Sequence, residues 1–228
     1  MPQIAVVTGY SSGLGFCISE QLLARGLTVV GVARRTSAGE LIERYPGRVV
    51  HVSGSVAEDE TADAAFAAAH AHGDIRLVVN CAGSGHFGSV GSHSAAEIRA
   101  TLDANLAGLI LFSDRAVRHM RANGGDIVNI MSTTSKKLRP AEPVYTAAKW
   151  GAKAYTRTLR EAVVAERLRI RVFEIYPCGM NTRFWQRAIH SPSDGAGFPA
   201  PAPIASRIVE AISAESDSYP LEMTFGRG

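Results

Sequence analysis

Short runs of consecutive apolar residues alternate along the chain with longer stretches in which apolar positions recur every three or four residues. Ile4, Ala5, Val6 and Val7 form such a run, closed by Thr8 and Gly9, and read as a strand buried on both faces. Leu14, Ile18 and Leu22 follow at helical spacing up to Arg25, with Gly26 placed to stop the helix. The pairing repeats, with a strand at 28–33 before a polar helix near 38–45, a strand at 49–53 before a helix at 58–71, and a strand at 77–80. Further β-branched runs at 127–131 and 170–176 are separated by long helical patterns over 94–122 and 144–165. Strand then helix, repeated, predicts an α/β fold with a doubly wound parallel sheet and helices on both faces. Such sheets take ligands at the carboxyl ends of their strands, near the point where strand order reverses.

At 228 residues and 46% apolar, the chain can bury one large core. One domain over 1–228 is expected, because composition never shifts into a linker or repeat; the patch at 191–203 reads as a loop. The net charge of +3 is spread along the chain, which argues against a nucleic-acid partner. Residues 1–8 lack a basic region and are too short for a signal peptide or membrane span, so no membrane association and a cytoplasmic location are expected. The three cysteines, Cys17, Cys81 and Cys178, show no paired spacing and read as reduced thiols. No metal site is expected, since none of the seven histidines has a second ligand at a suitable spacing; His70 and His72 read as solvent-facing.

The turn between the first strand and first helix is Thr8-Gly9-Tyr10-Ser11-Ser12-Gly13-Leu14-Gly15. Glycines there let backbone approach a pyrophosphate while the helix N-terminus offers N–H groups, so Gly9, Ser11, Ser12, Gly13 and Leu14 are candidate dinucleotide ligands. A tight turn that needs positive φ with no ligand is the alternative. After the second strand stand Arg34 and Arg35, where a carboxylate would be expected to accept the ribose 2′-hydroxyl of NAD. An arginine can instead pair with a 2′-phosphate, which points to NADP(H) with Arg34 as the better candidate, unless the pair is simply a solvated surface.

Tyr145 and Lys149 lie four apart in a helical stretch and project from one face. An adjacent ammonium should favour the phenolate and lower the tyrosine pKa from its ordinary value of about 10, making Tyr145 a candidate general acid–base.

Thr8-Gly9-x-x-x-Gly13-x-Gly15, Asn80-Cys81-Ala82-Gly83, Ser132 thirteen positions before Tyr145, Tyr145-x-x-x-Lys149 and the segment 177–182 together resemble the short-chain dehydrogenases/reductases, over about the whole chain. The resemblance implies a single-domain Rossmann-like fold, and the glycine spacing is similar to the branch that oxidises or reduces small molecules. It further implies that Ser132 holds the substrate oxygen, Tyr145 protonates it, and Lys149 binds the nicotinamide ribose. Asn105, in Asp103-Ala104-Asn105-Leu106, would kink its helix and hold a relay water. Asn80, Ala82 and Gly83 would line the adenosine ribose side, Val56 the adenine, and Pro177, Met180 and Thr182 the nicotinamide. Each has a local alternative: Asn105 satisfying helix backbone, Ser132 capping a strand end, Thr182 capping the next helix. A homodimer or homotetramer packed through helices 94–122 and 144–165 is implied as well.

Three positions depart from the pattern: Cys81 where a second Asn is usual, Cys178 where Gly follows Pro, and Ser55 where an Asp is common. Loop geometry beside the nicotinamide is thereby open, as is the last strand, since the tail at 219–225 lacks a glycine-rich close. Substrate contacts are expected from Gly85-His86-Phe87, from the residues after Ser132 and from a lid at 183–203; Lys136, Lys137 and Arg139 read equally as a solvated loop. The function expected is an NADP-dependent ketone reductase acting on a small carbonyl compound. An alcohol dehydrogenase working oxidatively and a non-catalytic NADP sensor are the alternatives.

Overall fold

A computed structural model describes residues 3–34, 38–214 and 220–226. Its strands are β1 (Gln3–Thr8), β2 (Thr28–Ala33), β3 (Val49–Ser53), β4 (Asp74–Asn80), β5 (Gly125–Ile130), β6 (Ile170–Tyr176) and β7 (Glu222–Thr224). They form one sheet in the order β3-β2-β1-β4-β5-β6-β7, with every pair parallel. Strand order reverses between β1 and β4, so a crevice opens above Thr8 and Asn80.

Alternation along each strand sends neighbouring side chains to opposite layers. Ala5, Val7, Val29, Leu77, Val79, Val128, Phe173 and Ile175 pack into one core, with Leu14, Ile18 and Leu22 of α1 (Gly13–Ala24). Ile4, Val6, Val30, Val78, Ile127 and Val172 pack into the other, with Phe66 and Phe112. Both faces are therefore apolar, which accounts for the unbroken hydrophobic runs; a fully buried Val, Leu or Ile contributes about 1.5–3 kcal/mol. The second core is closed by α3 (Asp59–His72), after the short α2 (Gly39–Arg44), and by α5 (Gly108–Met120) and α6 (Pro143–Ala165).

The expected helix at 94–122 is interrupted. α4 (Ala95–Leu102), opened by a Ser94–Glu97 capping box, runs into a π-helical turn at Asp103–Ala107 and only then continues as α5. The expected loop at 191–203 ends sooner, because α8 (Pro201–Ser213) begins at Pro201 and lays Ile204, Ile208, Val209 and Ile212 against α1. The segment expected to form a lid thus comprises α7 (Arg183–Arg187) and the chain up to Ala200. β7 pairs with β6 as a short edge strand; Arg35 and Tyr219 lie outside the described residues.

Tyr10 lies beneath the glycine turn. Its ring is fully buried, its hydroxyl shares a 2.8 Å hydrogen bond with His51 Nδ1, and it occupies the space a side chain at Gly31 would need.

Candidate active site

A cleft of about 660 Å³ runs along the carboxyl edge of the sheet. At one end stand Gly9, Ser11, Ser12, Gly13 and Leu14, with Arg34, Ser55 and Val56 beside them. Gly9 and Gly13 have φ of +70° and +58°, and a Cβ on Gly9 would stand 2.9 Å from the Ala82 backbone. Ser12 occupies the cap position of α1 without a side-chain bond to the first turn, and that turn holds no acidic residue. Its N–H groups thus face the cleft without a capping side chain, a setting that suits an anion such as a pyrophosphate. Arg34 is exposed at the cleft margin.

Ala82 and Gly83 line the floor, but Asn80 does not reach it. Asn80 Nδ2 donates to Ser113 Oγ at 2.9 Å and Asn129 Oδ1 at 2.8 Å, so this side chain joins β4, β5 and α5 inside the core. Its side chain is thus held in the core through Nδ2 and does not line the cleft. The loop after β4 is held instead by Thr8, whose Oγ1 accepts the N–H groups of Cys81 and Ala82 at 3.0 and 3.1 Å. Cys81 therefore keeps its loop tied without a side-chain amide, and burial pushes its thiol up to about 12. Cys178 is buried, its thiol donating to the Gly226 carbonyl at 3.5 Å.

At the other end the cleft collects Asn105, Ser132, Tyr145 and Lys149, with Pro177, Met180 and Thr182 opposite. Three of these side chains also make the local contacts that sequence left as alternatives. Ser132 Oγ accepts Thr134 N–H at 3.1 Å, Thr182 Oγ1 accepts Phe184 N–H at 3.4 Å, and Asn105 Nδ2 donates to the carbonyls of Ser84 and Thr101 at 2.8 and 2.9 Å. Such contacts fix the side chains without removing them from the cleft. Asn105 sits in the π-helical turn, and its Oδ1 is buried with no partner, a place where a bridging water would fit.

Lys149 Nζ donates to the Ile130 carbonyl at 3.0 Å and stands 5.9 Å from the centre of the Tyr145 ring. Burial pulls its pKa from 10.5 down to about 8. Burial also pushes Tyr145 well above 10; a hydrogen bond with Ser132 opposes the rise, Glu142 adds to it, and Arg139 opposes it. The expected lowering by Lys149 is corrected: in this arrangement desolvation dominates, and Tyr145 holds its proton at neutral pH.

Aromatic rings close the remaining wall. Phe87 lies 5.9 Å from Tyr145 and 5.7 Å from Trp185, stacked on the latter, and Phe184 lies 6.1 Å from Tyr145. Arg187 of α7 donates to Ser12 Oγ at 3.4 Å, tying this helix to the glycine turn. His86 is buried and meets Thr101 Oγ1 at 2.7 Å, away from the cleft lining. Lys136 is held by Glu222 and lies 4.2 Å over the Tyr176 ring, Lys137 is exposed, and Arg139 lines the cleft. Glu142 also lines the cleft and was not among the expected site residues, although it stands three positions before Tyr145; Thr134, another lining residue, falls in the segment after Ser132 that was expected to meet substrate.

The model of the short chain dehydrogenase family matches residues 3–192. A curated farnesol dehydrogenase of Aedes aegypti is 32% identical, covering 82% of this chain and 81% of its own. Carbonyl reductase family member 4 of Danio rerio is 31% identical, covering 75% and 73%. Among solved structures, an alcohol dehydrogenase from the archaeon Thermococcus sibiricus, complexed with 5-hydroxy-NADP, superposes with a TM-score of 0.85 at 25% identity, covering 99% of this chain and 96% of its own. With the sheet order, the glycine turn and the Ser132, Tyr145 and Lys149 cluster, these matches mean that the chain belongs to the short-chain dehydrogenase/reductase family, oxidoreductases that act on alcohol and carbonyl groups with a nicotinamide cofactor.

Proposed function

We propose that this protein is an NADP-dependent ketone reductase acting on a small molecule. The observation that carries the reading is a buried Tyr145 beside Ser132 and Lys149 at one end of a cleft whose other end presents the N-terminus of α1, without a cap bond from Ser12, and Arg34. A reduction needs a proton for the nascent alkoxide, and a tyrosine held in its acid form supplies it. Ser132 Oγ holds the carbonyl oxygen and shares the developing charge. Lys149 binds the nicotinamide ribose hydroxyls, and Asn105 Oδ1 holds a water that returns the proton from solvent. The bound cofactor supplies the hydride.

Gly9, Ser11, Ser12, Gly13 and Leu14 take the pyrophosphate, and Arg34 takes the 2′-phosphate. Val56, Ala82 and Gly83 line the adenosine, and Pro177, Met180 and Thr182 the nicotinamide. The NADP complex of the archaeal relative supports this choice of cofactor. We propose further that the protein works as a cytoplasmic homodimer or homotetramer through α4, α5 and α6; the exposure of Trp150 and Val164 on α6 supports such an interface. No helix among the described residues is long and apolar enough to cross a membrane.

Titration with NADPH and NADH by fluorescence, followed by absorbance decay against a ketone panel, tests the reading. NADPH should bind preferentially and turn over, and Tyr145→Phe should lose about 100-fold or more in kcat with NADPH affinity retained. Full turnover by the variant refutes the mechanism, and NADPH binding without turnover on any ketone favours a sensor.

A further inference from the structure

Glu142 is a buried carboxylate in the substrate half of the cleft, and the reduction chemistry gives it no part. It stands at the cap position before α6, three residues ahead of Tyr145 and seven ahead of Lys149. Its Oε2 accepts the Thr134 hydroxyl at 2.9 Å, and Thr134 is itself buried in the turn capped by Ser132. Its Oε1 has the Arg139 guanidinium at 4.0 Å, beyond hydrogen-bonding distance. The side chain is 11% exposed, and both Glu142 and Arg139 line the cleft. Glu142 Oε1 thus has no close donor among the described residues and opens to the cleft, where it can accept one from a ligand.

The neighbourhood constrains that donor. Tyr145 and Ser132 claim the reacting oxygen, and the carboxylate lies one helical turn from Tyr145, so the donor belongs on the carbon next to the reacting one. Arg139 already supplies positive charge, which favours a neutral hydroxyl over an ammonium. Across the cleft, Phe184 and Trp185, packed on the buried Phe87, line the space left for the rest of the molecule.

We propose that Glu142 is a specificity-determining residue that accepts a hydrogen bond from a hydroxyl adjacent to the reacting carbon, so that the substrates are α-hydroxy ketones, or the corresponding vicinal diols, carrying a flat apolar group against Phe184 and Trp185. This inference rests on the reading of the site as a ketone reductase.

The test compares kcat/KM for acetophenone, 2-hydroxyacetophenone and 2-aminoacetophenone in wild type, Glu142→Gln and Glu142→Ala, with folding checked by circular dichroism. The variants control for the intrinsic activation of the carbonyl by its neighbour. A hydrogen bond to a charged acceptor corresponds to a preference of about 10- to 100-fold. Wild type should favour 2-hydroxyacetophenone over acetophenone by that order; the ratio should fall several-fold in Glu142→Gln, which keeps the shape and can still bond Thr134, and further in Glu142→Ala. A ratio unchanged in both variants, with both ketones turned over, overturns the role of Glu142 and leaves the reductase reading standing. Equal losses on both ketones also overturn it, since they mean that Glu142 acts only on Tyr145. A preference for the amine that vanishes in Glu142→Gln overturns the hydroxyl assignment. Absence of turnover on all three by wild type, with NADPH bound, overturns the reductase reading and this proposal with it.

Discussion

Lys149 should make the cofactor-free fold less stable, and the size of the effect follows from its burial. The pKa falls from 10.5 to about 8, a gap that corresponds to about 3 kcal/mol at about 1.4 kcal/mol per unit. The folded protein binds this proton less tightly than the unfolded chain. The destabilisation is therefore complete below pH 8, shrinks as pH rises towards 10.5, and is absent above it. Lys149→Met keeps the volume and removes the charge, at the loss of the bond to the Ile130 carbonyl, about 1 kcal/mol. The net expectation at pH 7 is a gain of about 2 kcal/mol, falling through zero to a slight loss near pH 10. Urea unfolding of both proteins without cofactor, at several pH values from 7 to 10, measures the difference; titrations common to both proteins cancel. A difference that does not change with pH, or a variant less stable at pH 7, refutes the argument that desolvation governs this lysine.

Arg34→Asp should lower the ratio of kcat/KM for NADPH over NADH by about 10-fold or more, because a charge-assisted contact becomes a repulsion; an unaltered ratio refutes the assignment of Arg34 to the 2′-phosphate. Gly31→Ala should cost about 1–3 kcal/mol through overpacking, since its Cβ would stand 2.3 to 2.5 Å from ring carbons of the fully buried Tyr10. Thermal unfolding should show that cost largely relieved in a Tyr10→Ala background, and strictly additive effects of the two substitutions would refute the steric account.

The strands were legible as β-branched-rich runs between turn residues; 28–33, 49–53 and 170–176 match β2, β3 and β6 to the residue, although β3 is only half-buried and β6 carries Arg171 and Glu174. α8 left a signal in Ile204, Ile208 and Ile212 spaced by four, obscured by the prolines at its start. β7, at three residues, is too short to carry a period. The glycine turn, Ser132, Tyr145 and Lys149 were readable because each depends on spacing within one segment or on order along the chain.

What one segment cannot report is what lies against it. Asn105 marks the interruption of the helix at 94–122, but the π-helical turn depends on Asn105 donating to the Ser84 carbonyl as well as to its own helix. Asn80 is drawn from the cleft by Asn129 and Ser113, contributed by β5 and α5. The rise in the Tyr145 pKa, against the lowering expected from Lys149, depends on the amount of protein packed over the ring. Sequence by itself determined the layers of this protein, the glycine turn at the head of the cleft and the candidate acid–base pair, since those rest on periodicity and local spacing. Only tertiary structure decided which polar groups face the cleft and in which protonation state, because desolvation and long-range hydrogen bonds depend on neighbours brought together by folding.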